Sequence, residues 1–187
     1  MSKRPPIKTT AEQAINYWIK YIDEGDLSVD WAEADTHCWR CGCQRNLERC
    51  HIVPDSLGGP DTPSNIVMLC KRCHADGPNV NDPEIMWDWI RAYKVLFYET
   101  FWHSKALKEY QFIYKNSFKE DLIKILASSG RNYTNEEISD IIRLSLDETI
   151  AKASNHFGQP YFNTATLAGM YRMVIKKIAK DHGVSEI

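Results

Sequence analysis

Residues 38–79 read CWRCGCQRNLERCHIVPDSLGGPDTPSNIVMLCKRCHADGPN. Two Cys-x-x-Cys pairs, Cys38/Cys41 and Cys70/Cys73, stand at its ends, 28 residues apart (42–69). Between them lie Cys50-His51, the Gly58-Gly59 turn and Asn65, and His74 follows the last cysteine directly. A two-residue gap lets each pair chelate one ion from a single tight knuckle, and tetrahedral Zn²⁺ takes four such thiolates. Cys38, Cys41, Cys70 and Cys73 are therefore the expected ligands of a closed, structural zinc site. Cys43 could replace Cys41 in a wider Cys-x-x-x-x-Cys pairing.

Local signals fill in the loop that zinc would close. Leu47 to Val53 reads as a strand carrying His51, and Pro54 with Gly58-Gly59 marks a turn. Asn65 to Leu69 returns toward the second knuckle, which should open a short helix bearing His74. With both ends pinned, His51 and His74 can face one another across a small ββα unit.

The run CHIVP-x-S-x-GG-x5-N-x4-C-x2-CH, from Cys50 to His74, resembles the HNH endonuclease family of ββα-metal fold, in its variant with a four-cysteine zinc site. The likeness covers Cys38 to Asn79, under a quarter of the chain. It implies His51 as the general base that activates water against a phosphodiester, a task suited to imidazole near neutral pH. It implies Asn65 as the residue that holds the loop and orients that base. It implies His74 as ligand of one divalent cation, Mg²⁺ or another ion such as Mn²⁺ or Ni²⁺, which neutralises the scissile phosphate. One position departs from the family, where the residue before the base is Asp or His and serves as second metal ligand. Here it is Cys50, a soft donor that favours softer metals than Mg²⁺. Either Cys50 binds the catalytic metal, or it points inward and an oxygen donor such as Asp55 or Asn79 replaces it, or activity is weakened or lost.

Outward from this core, the chain reads as helical support. The 187 residues are 43% hydrophobic, 11% aromatic and 26% charged, which is ample for a globular core. Thr10 with Gln13 forms a capping box for a helix burying Ile15, Trp18, Ile19 and Ile22, stopped by Gly25. Asp82-Pro83-Glu84 starts a second helix, expected to bury Ile85, Trp89, Ile90 and Tyr93. An aromatic run from Phe97 to Tyr114 reads mainly as core. Ser117, Thr134 with Glu137, and Asn163 or Thr164 open later helices. The connector HFGQPYFN (156–163) has the composition of a helix-turn-helix turn, which would make Arg172, Lys176 and Lys177 a DNA-reading face. The pattern favours a bundle with those cations on a solvated face.

The expected fold class is thus α+β and mostly helical. An N-terminal helix and connector (1–35) lead into the zinc-pinned nuclease core (36–80), and a helical region (81–187) supplies support, DNA recognition or dimerisation. Six cysteines without a hydrophobic leader point to metal binding in the cytoplasm rather than to disulfides. No apolar run approaches the ~20 residues of a membrane span. Net charge is −2, and by segment −3 (1–35), +1 (36–80) and zero (81–187), so no global field attracts nucleic acid. Contact with duplex DNA must come from local cations, of which Arg40, Arg45, Arg49, Lys71 and Arg72 flank the site. Cutting both strands with one site per chain would suit a homodimer. A zinc-stabilised nucleic-acid-binding or interaction module without catalysis is the alternative.

Overall fold

This computed structural model describes residues 6–130, 132–154 and 162–184. They are mostly helical, with one two-stranded antiparallel sheet, the α+β class expected. Among the described residues no helix is long and apolar enough to cross a membrane. The chain forms two compact units, Met1–Phe101 and Trp102–Ile187.

In the first unit, strands β1 (Leu47–His51) and β2 (Ile66–Cys70) pair so that Cys50 faces Val67 and His51 faces Ile66. Helix α2 (Lys71–Asp76) follows β2 without a break, giving the expected ββα unit. Every residue of β2 is buried. Helix α1 (Ala11–Trp18) begins at the Thr10/Gln13 capping box and covers this sheet. It ends at Trp18, seven residues before Gly25. The Trp18 indole donates to the Ile66 carbonyl (2.8 Å) and packs edge-on against Trp87, so that ring is committed to the sheet. Asp23 then accepts from the Gly25 amide (2.7 Å), opening a separate 3₁₀ turn. Ile19, expected inside, is half exposed.

Helix α3 (Pro83–Arg91) starts where Asp82 caps the Glu84 amide (3.0 Å), as the sequence predicts. Its buried face is Met86, Trp87 and Ile90. Ile85 is 43% exposed, a shift of the apolar stripe by about one residue from the predicted face. The reason is Trp89, whose ring faces the guanidinium of Arg40 rather than an aliphatic core.

In the second unit, α4 (Phe101–Tyr114, all but its first residue), α5 (Phe118–Ser128), α6 (Asn135–Ser154) and α7 (Thr164–Asp181) surround a core that includes Tyr110, Ile125, Tyr171 and Val174. Predicted caps appear at Ser117, at Thr134 with Glu137, and at Asn163. The aromatic run divides, with Phe101 and Tyr110 buried while Phe97 and Phe112 are exposed. Most of the 156–163 connector lies outside the described residues. Arg172, expected on a solvated or DNA-reading face, instead donates to the buried Asp121 carboxylate (2.9 Å) and the Tyr110 hydroxyl (3.2 Å). Tyr110 in turn donates to Asp121 (2.6 Å), and burial with that contact pushes its phenol up to about 12. Removing Arg172 would leave Asp121 buried and uncompensated. Arg172→Met is expected to destabilise the second unit by about 3–5 kcal/mol in urea unfolding, and replacing Asp121 by Leu as well should recover much of that loss.

Candidate active site

The four cysteines converge. Cys38, Cys41, Cys70 and Cys73 are buried, and their sulfurs lie within 4.8 Å of one another. Cys41 and Cys70 sulfurs are 3.9 Å apart, close to the ~3.8 Å that ~2.3 Å zinc–sulfur bonds impose on a tetrahedron. The donor set fits a metal such as zinc. Cys43 lies outside the cluster, with its thiol on the Cys41 carbonyl (3.6 Å), so the wider pairing is not used.

The first knuckle closes through the Gly42 amide, which donates to the Cys38 carbonyl (2.8 Å). Gly42 has φ +61°, and a Cβ there would sit 2.6 Å from the Ser28 carbonyl oxygen. Behind the cluster stands Arg40, only 2% exposed. Its guanidinium lies 3.7 Å over the Trp89 ring and 4.8 Å from that of Phe101, and Nη1 donates to the Cys73 sulfur at 3.7 Å. Its Nη1 also lies 3.9 Å from the Asp76 carboxylate, and four thiolates around a divalent ion would keep surplus negative charge that this buried cation could offset.

The loop between β1 and β2 is locked by Asn65. Its side-chain carbonyl accepts from the Val53 amide (2.9 Å), and its NH₂ donates to the carbonyls of Val53 (2.9 Å) and Pro60 (2.9 Å). The Ile52 amide donates to the Asn65 main-chain carbonyl (2.8 Å). Gly59 lies so close that a Cβ would come within 1.8 Å of the Val53 oxygen. The backbone just after His51 therefore has one permitted path.

His51, Cys50 and His74 line a single open cavity of about 840 Å³, together with Asp55, Asp61 and Asn79. Cys50 is 5% exposed. Burial, reinforced by the nearby Glu48 charge, pushes its thiol up to about 12, so it is neutral at physiological pH. His74 projects from α2, with Nδ1 2.7 Å from the Glu48 carboxylate. Glu48 was not among the residues expected from sequence. Strand alternation, which sets residues 48 and 50 on one face of β1, is the signal that points to it.

Segment Pro6–Thr9 forms one wall of this cavity. Arg49 donates to the carbonyls of Ile7 (3.1 Å) and Thr9 (3.0 Å), and Asp61 accepts from the amides of Lys8 (2.6 Å) and Thr9 (3.1 Å). Three of the expected phosphate contacts are thus engaged otherwise. Arg40 is buried, Arg49 ties down the wall, and Arg45 makes a two-point contact with Glu99 (3.0 and 3.1 Å). Lys71 is exposed.

Residues 36–86 match the HNH endonuclease family. The match spans the knuckles, the hairpin, α2 and the start of α3, and it bears out the resemblance read from Cys38–Asn79. An HNH domain supports a nuclease-type function in general, with nucleic acid as substrate. No curated protein and no solved structure matches the chain.

Two outcomes test how the HNH domain is built. Cys70→Ser is expected to abolish one tightly held metal ion per chain, read by elemental analysis, with loss of the first unit's fold. Gly59→Ala is expected to cost the first unit about 1–3 kcal/mol in denaturant unfolding, since the Val53 backbone must move to admit the methyl.

Proposed function

We propose that this protein is a metal-dependent endonuclease that hydrolyses phosphodiester bonds in duplex DNA. The observation that carries the reading is the meeting of His51 and His74 at one open cavity, on a hairpin whose connecting loop Asn65 fastens at Val53 and Pro60.

In this reading His51 is the general base. It takes a proton from the water that attacks phosphorus, and the 3′-oxygen leaves. Asn65 acts through the backbone, holding the segment that follows His51 in one conformation. His74 is the metal ligand, and Cys50 borders the same space as a neutral thiol. A single divalent cation fits a site so sparsely furnished, because Mg²⁺ and Mn²⁺ retain waters and use substrate phosphate oxygens as ligands. When bound, it would neutralise the scissile phosphate and stabilise the leaving oxygen. The four cysteines hold a separate, structural Zn²⁺. Lys8 and Lys71, both exposed, are cations near the site that can meet the DNA backbone. A homodimer would cut both strands.

The deciding experiment incubates the full chain with supercoiled plasmid and Mg²⁺, Mn²⁺ or Ni²⁺. Wild type is expected to nick or linearise it, and His51→Ala to be ~10²–10⁴-fold slower with DNA binding and zinc content unchanged. Intact plasmid with wild type in every metal, while DNA is still bound, would replace this reading with that of a non-catalytic nucleic-acid-binding module.

A further inference from the structure

Glu48 contacts one of the two cavity histidines but does not itself line the cavity. Its carboxylate oxygen is 2.7 Å from His74 Nδ1, at the short end of the ~2.7–2.9 Å range of charge-assisted hydrogen bonds. The backbones of both partners are placed by the cysteine cluster. Glu48 pairs across the ladder with Leu69, the neighbour of Cys70, and His74 adjoins Cys73. The contact is built into the scaffold rather than made by two free side chains.

An ionised carboxylate can only accept. A neutral His74 in this contact must therefore carry its proton on Nδ1, which leaves the lone pair on Nε2. Histidines that bind metals are commonly oriented this way, with the second nitrogen donating to a carboxylate.

We propose that Glu48 is a positioning residue that fixes His74 as its Nδ1–H tautomer and presents Nε2 as the donor to a divalent cation in the cavity. This rests on the metal-dependent reading given above. Glu48 is 43% exposed and His74 40%, and a pair this open adds at most ~1 kcal/mol to stability. A purely structural pair would alter metal affinity little, and that difference makes the role measurable.

The test uses the full chain, with zinc content and circular dichroism as fold controls. Two-bond ¹H–¹⁵N spectra at pH 8 should report His74 protonated at Nδ1 in wild type, drifting toward Nε2–H in Glu48→Ala. Titration with Mn²⁺ alone, followed by electron paramagnetic resonance, should show the Kd of Glu48→Ala raised ~10–100-fold. Glu48→Gln keeps an acceptor oxygen without the charge and should fall between. Wild-type His74 protonated at Nε2 would overturn the proposal, as would a folded Glu48→Ala protein that binds Mn²⁺ and cleaves DNA as wild type does. Wild type that neither binds Mn²⁺ nor cleaves DNA would overturn the nuclease reading itself, and this proposal with it.

Discussion

Everything in the first unit depends on four sulfurs meeting at one point. Cys38 and Cys41 lie on a knuckle before the hairpin, Cys70 ends β2, and Cys73 lies on α2. Their convergence fixes the strand pair, the start of the helix and the span of the loop together. A two-stranded hairpin alone is marginal in water. Tied at its open end and covered by α1, it holds Cys50 and His51 in register against Val67 and Ile66. The apparent economy of the site follows. Few side chains need carry the proposed chemistry, because the backbones of His51 and His74 are already placed.

The same cluster explains a less expected choice, the burial of an arginine. Arg40 gains a cation–π stack on Trp89, contact with Phe101 and a hydrogen bond to a cluster sulfur, while its Nε has no partner. Burying a guanidinium is unfavourable unless charge and contacts compensate it. Here the cluster sulfur of Cys73 and the Asp76 carboxylate, 3.9 Å from Nη1, supply the compensation.

The sequence was most legible where chemistry acts over a few residues. Thr10 with Gln13, Asp82 before Pro83, and Thr134 with Glu137 all form caps, because capping needs only a side chain and an amide within one turn. The knuckles were equally readable from their spacing, whereas the Asn65 clamp was implied by the family resemblance. Tertiary partners decided the rest. The end of α1 was set by the Trp18 bond to Ile66, 48 residues away, and not by Gly25. Charge patterning misled at Arg40, Arg45, Arg49 and Arg172, whose partners Cys73, Glu99, Ile7 and Asp121 lie between 33 and 54 residues away. Basic residues near a nuclease motif look like phosphate contacts until those partners are known.

The N-terminal segment carries a practical consequence. Pro6–Thr9 has no regular secondary structure, yet Arg49 and Asp61 fasten it as a wall beside His51. Replacing Arg49 or Asp61 would release this wall and change the mouth of the cavity, although the chemistry proposed for the cavity uses neither side chain.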